Sequence, residues 1–157
     1  MANIVINRSK GRFAEFAERI NANDPTNSVL LIALVAATGV ESDAVLVDMD
    51  DFAAFVAGTT NFATNTGGTR KSLDNTGGIT VTYDDTNDRV DVDCPDQTWT
   101  ALANDGTGAV GDVLFGYDSD STAGTDSNVI PISLHDFAIT PDGSDVTAQI
   151  AVFARAS

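Results

Sequence analysis

The stretch GGITVTYDDTNDRVDVDCPDQTW (residues 77–99) decides how the chain is read, because it packs six aspartates between Asp84 and Asp96. A metal site, a catalytic carboxylate cluster and the wet side of a sheet are the three candidate readings. Its apolar residues alternate with polar ones: Ile79, Val81 and Tyr83 are separated by Thr80 and Thr82, and Val90, Val92 and Cys94 by Asp91 and Asp93. Two period-two runs on either side of the polar turn Asp84-Asp85-Thr86-Asn87-Asp88 predict a β-hairpin with one face in water. On this reading Asp91 and Asp93 point outward, solvated and close to ordinary carboxylate behaviour, and Asp84, Asp85 and Asp88 make the turn.

The same pattern continues downstream. TWTALA around Trp99, DVLFGYD from Asp112, NVIPISLHDFAIT from Asn128 and DVTAQIAVFA from Asp145 read as further strands. Gly-, Asp-, Ser- and Thr-rich turns separate them, and this spacing suggests an antiparallel sandwich or barrel-like sheet. One turn, GTGAVG, matches the spacing of a dinucleotide loop, but such a loop must open a helix and DVLFGYD follows as a strand. A glycine-rich hairpin turn is the better reading, and no cofactor is expected.

Upstream the period changes. Phe13, Phe16, Ala17 and Ile20 fall on one helix face, with Ser9 as cap and Asn23-Asp24-Pro25 as stop. DMDDFAAFVAG reads as a second helix, its aspartates in the first turn and Gly58 in the left-handed position after the last. VLLIALVAA (residues 29–37) is a fully buried strand or core segment, too short to span a bilayer as a helix. The expectation is one α+β domain over residues 1–157: a helix-rich segment, 1–64, packed on an antiparallel β segment, 77–157.

Charge narrows the partners. Eight Lys and Arg stand against 23 Asp and Glu, a formal net charge of -15. Phosphate binding needs clustered bases, so nucleic acid is not expected, nor is an anionic membrane. No apolar leader opens MANIVINRSKGRF, and an origin in the cytoplasm is expected. The charge is also asymmetric, since Arg8, Lys10, Arg12 and Arg19 cluster near the start while Arg89 is the lone base from residue 84 to 145. Arg8, Lys10 and Arg12, with Arg70 and Lys71, are the candidate partner-binding residues for docking onto an acidic surface, including another copy of the chain.

Chemistry-bearing motifs are sparse. A single cysteine, Cys94, rules out an internal disulfide and a cysteine-based zinc site, and its place on the apolar phase of its strand keeps the thiol protonated. His135 is the single histidine, and Asp136 beside it faces the opposite way on a strand. A glycosidase pair would need two carboxylates facing across a cleft, which alternating surface aspartates do not supply. For calcium, DDTNDRVDVD has Arg89 where an EF-hand loop needs glycine. Asp118, Asp120 and Asp126 in the DSDSTAGTDS region are the weak metal candidates. No catalytic residue is expected.

RKSLDNTGGITVTYDDTNDRVDVDCPDQTWTAL, then VLFGYDSDSTAGTDSNVIPISLHDFAITPDGSDVTAQI and the closing FARAS resemble small acidic virion proteins of tailed double-stranded-DNA bacteriophages. The resemblance extends from RFAEFAERIN to the C-terminus. It implies a capsid cement (decoration) protein, made in the host cytoplasm, that binds the major capsid protein, self-associates into a homo-oligomer and stabilises the shell. A neck, tail or fibre-base component is the neighbouring alternative, and a calcium-dependent adhesion or glycan-binding β module is the alternative from another class.

Overall fold

The computed structural model describes residues 3–156. In chain order the elements are β1 (Ile4–Val5), α1 (Phe13–Ala22), β2 (Val29–Ala36), α2 (Asp43–Leu46), α3 (Phe52–Phe55), β3 (Lys71–Leu73), β4 (Thr80–Asp84), β5 (Arg89–Asp93), β6 (Gln97–Trp99), β7 (Val110–Asp118), β8 (Ile130–Ile139), β9 (Val146–Ala148) and β10 (Ala154–Ala156). The main sheet has the order β1-β8-β7-β2-β3, a second sheet β10-β5-β4, and β6 pairs with β9. Among the described residues all the pairings are antiparallel, and no sheet closes into a barrel.

β2 explains the layering. Leu30, Ile32 and Leu34 point into a large core shared with α1, Trp99, Phe115 and Phe153, while Ala33 and Val35 point into a second core with Leu46, Phe52, Phe55 and Leu114. A strand covered on both faces is apolar throughout, which is why VLLIALVA shows no alternation. The main sheet is therefore the middle layer. α1 and the two smaller sheets share the large core on one side, and α2 with α3 closes the other.

The hairpin forms over the predicted stretch, with Val81 opposite Val92, but Asp84 ends β4 opposite Arg89 and is not part of the turn, and Tyr83 of the apolar phase is 59% exposed. The helix-rich segment does not form. Within residues 3–64, α1 is the one helix longer than a turn, and β2 runs through the middle of the segment. In DMDDFAAFVAG the Asp51 carboxylate accepts the Ala54 N–H at 2.7 Å, but the helix stops at Phe55. The chain is then pulled back along β2: Thr59 Oγ donates to the Gly39 carbonyl at 2.6 Å, and the Ala63 N–H to Leu34 at 2.8 Å. Gly58 accordingly stays out of the left-handed region. Ser9 does not cap α1 either; its hydroxyl donates to the Pro131 carbonyl, and Arg12 holds the cap position without a side-chain bond.

Gly116 on β7 marks a close approach, since a Cβ there would lie 2.5 Å from the Phe52 ring. The two described ends of the chain meet: Asn3–Val5 and Val152–Arg155 border the same surface depression beside His135. Among the described residues no helix is long and apolar enough to cross a membrane.

Candidate functional site

The acidic hairpin is the natural place to look first, and its outer face is a charge ladder. Arg89 Nε lies 3.1 Å from Asp84 and 3.4 Å from Asp91, on the neighbouring turn of the pleat. Arg155 of β10 reaches the other side of Asp91 with two hydrogen bonds, 2.6 and 2.9 Å. The Arg155 hydrogen bond, then the charges of Arg155 and Arg89, hold the Asp91 carboxyl below its ordinary range against the cost of desolvation. Asp93 goes the opposite way: burial pushes it up although its carboxylate accepts the Cys94 N–H at 2.8 Å. The expected pair of free, ordinary aspartates is thus corrected. Arg155 arrives from a strand distant in sequence, and no local pattern announces it.

The candidate partner-binding bases are largely engaged within the molecule. Arg8 donates to the Asp50 carbonyl at 2.7 Å, and Lys10 to the Asn7 side chain at 2.6 Å. Arg12 and Arg19 share Glu15, at 3.2 and 2.9 Å, and their hydrogen bonds lower its carboxyl below the usual value. Arg70 grips Asp126 with both nitrogens, at 2.5 and 2.8 Å, and lies 4.2 Å from the centroid of the Phe62 ring. Lys71 sits 5.9 Å from the Trp99 ring centroid. Arg8, Lys10 and Arg12 flank the start of α1, whereas Arg70 and Lys71 lie at β3, so they belong to separate elements.

Asp118, Asp120 and Asp126 do not converge on a cation. Asp120 accepts the Thr122 hydroxyl at 2.6 Å, Asp118 accepts the Asp120 N–H at 3.0 Å, and Asp126 is held by Arg70. Among the described residues no group of three or more His, Cys, Asp or Glu is placed to hold a metal.

His135 is partly buried and Cys94 is buried. The imidazole Nε2 lies 2.8 Å from the Phe153 carbonyl and 3.0 Å from Ser133 Oγ, its ring stands edge-on to Phe115, and burial lowers its pKa. Burial pushes the Cys94 thiol up to about 12, which keeps it protonated and a poor nucleophile. Asp136, the next residue on β8, belongs to a feature the sequence does not announce. Register sets it opposite Asp112, which is 2% exposed and raised to about 6 by burial first and by the Asp136 charge second. The Asp112 carboxyl therefore takes up its proton as pH falls toward 6. The one available signal is an aspartate opening the apolar run DVLFGY.

Compared with models of protein families, with curated proteins and with solved structures, the chain matches none.

Proposed function

We propose that the protein is a structural component of a tailed-phage virion, a cement protein that attaches to the outside of the head and reinforces the shell. The reading starts from the resemblance of its strand-and-turn segments to small acidic virion proteins. The observation that carries it further is the fate of the bases: Arg8, Arg12, Arg19, Arg70, Arg89 and Arg155 all have a carboxylate within 4 Å inside the molecule. Carboxylates thus outnumber the bases that neutralise them, and apart from the buried Asp91, Asp112 and Asp118 they lie at least partly at the surface. Such a coat steers the protein onto a basic patch of the major capsid protein and away from nucleic acid and anionic membranes.

A cement protein acts by mass action, binding the assembled shell and not the dispersed subunits. Many symmetric copies multiply a modest contact, so each interface is small. The reading assigns no catalytic step and no cofactor, and it includes self-association.

Quantitative mass spectrometry of purified particles tests it. A copy number near that of the major shell protein, or a simple fraction such as about a third, is expected for an icosahedral cement. Heads lacking the protein are then less resistant to heat and osmotic shock. A handful of copies would move it to the neck, tail or fibre base, and its absence from particles would sink the virion reading.

A further inference from the structure

We infer that β4 is a self-association edge, where two copies pair antiparallel about a two-fold axis through Thr82 to make one continuous six-stranded sheet.

β4 is the outermost strand of its sheet. Its five residues make it the longest strand at a sheet edge, against two in β1 and three in each of β3, β6, β9 and β10. Among the described residues the backbone of Thr80–Asp84 pairs with β5 and with Asn87 of the hairpin turn and with no other strand, while α1 reaches β4 through side chains, Asn21 donating to the Ile79 carbonyl at 3.1 Å and the Tyr83 hydroxyl to Glu18. Thr80, Thr82 and Tyr83 are exposed, Tyr83 by 59%. The sequence TVTYD favours strand formation and has no proline, lysine or bulge, the usual devices that blunt an edge.

The occupant follows from self-complementarity and charge. Centring the axis on Thr82 pairs all five residues, places Val81 opposite Tyr83 of the second copy, and sets Asp84 opposite Thr80. Aromatic and β-branched residues directly opposite each other are a favourable pair, and this register makes two of them. No like charges meet, and Asp84 is in any case compensated by Arg89 at 3.1 Å and by the Asn87 amide at 2.7 Å. In a chain of net charge -15, Asp84 is the one acid within the paired stretch, and Glu18 beside it is tied to the Tyr83 hydroxyl. An antiparallel pair of identical strands is isologous, so it closes as a two-fold dimer and does not propagate into a fibre.

Strand pairing alone buries little area, so the dimer is weak in dilute solution, with dissociation on the order of 100 µM. It strengthens with salt, because two strongly acidic copies repel at long range. The inference gives a surface to the self-association included in the proposed function. It is tested on purified protein alone, so its failure leaves the shell-binding reading standing, and the protein's absence from particles leaves the edge standing.

The test is sedimentation equilibrium of the full chain from about 10 µM to 1 mM, at low and high salt. A monomer–dimer equilibrium tightened by salt is expected. Thr82→Lys and Thr82→Glu, at an exposed position, each weaken it at least about tenfold by setting like charges on the axis, and mixing the two restores it. Oxidised Thr82→Cys is trapped as a covalent dimer through that position, since Cys94 is buried. A monomer at every concentration would overturn the inference. So would a dimer indifferent to all three variants.

Discussion

Arg155 and Asp91 lock the last described strand to the middle of its sheet. The guanidinium lies 2.6 and 2.9 Å from the two carboxylate oxygens, and the backbones of the same two residues are opposite each other in the β10–β5 register. Side chain and main chain thus fix one alignment.

Arg155→Ala is expected to loosen β10 selectively. Hydrogen exchange at Val90 and Val92 should speed up while β2 and β7 stay protected. The Asp91 pKa is depressed, so its contribution is complete above the unfolded carboxylate value of about 4 and is lost as pH falls through the lower folded value. The melting difference between wild type and variant should therefore be widest at neutral pH and shrink in acid. An unchanged difference at pH 2 would remove the ion pair as its cause.

Asp112 predicts the opposite slope. Its folded pKa is raised to about 6, so the folded state holds a proton that the unfolded chain has released above about 4. Stability due to this group falls as pH rises from about 4 to 6 and is level above. Asp112→Asn keeps a donor for Asp136 and removes the charge, and it should raise stability at pH 7 by ~1–3 kcal/mol and flatten the profile. Chemical denaturation at pH 5 and 7.5 measures both effects; a loss of stability at pH 7.5 would contradict them.

Trp99 is fully buried and its indole N–H donates to the Thr69 carbonyl at 2.9 Å. Trp99→Phe removes that donor and some volume, and should cost about 1–3 kcal/mol. Trp99→Ala should cost ~3–5 kcal/mol. Equilibrium unfolding separates them, and equal costs would show that the hydrogen bond and the ring are not distinct contributions.

Two glycines should respond differently to alanine. At Gly116 the new methyl would lie 2.5 Å from a Phe52 ring carbon and 2.9 Å from Val129, so Gly116→Ala disrupts the second core and is expected to cost more than ~2 kcal/mol. At Gly124 nothing lies within 4 Å, and only a φ of +61° opposes the change, so about 1 kcal/mol is expected. Comparable losses at the two sites would mean that the Phe52 contact relaxes freely.

The β-hairpin was legible because its alternation and turn lie within one short stretch, and Val29–Ala36 was legible because unbroken apolarity over that length fits a strand covered on both faces. What misled was local propensity around Phe52 and Phe55. Their helical spacing is real, but the chain beyond them is held by Thr59 and Ala63 against β2, and those bonds permit a single turn. The charge relationships were the least legible. Asp91 meets Arg155 and Asp112 meets Asp136 through strand register, and Asp126 in a short turn meets Arg70 just before β3, relationships that no single segment encodes. Arg8 and Arg70 looked available for a partner because Asp50 and Asp126 lie far along the chain, whereas Arg12 meets Glu15 only three residues on.

The meeting of Asn3–Val5 with Val152–Arg155 around one depression has an engineering consequence. A short flexible linker should join the two ends into a closed ring, and the chain should tolerate reopening in the exposed Ser121–Gly124 loop. Ala156 lines one hollow with Tyr83, Asp85 and Asp88, so a linker leaving β10 would start beside the acidic turn.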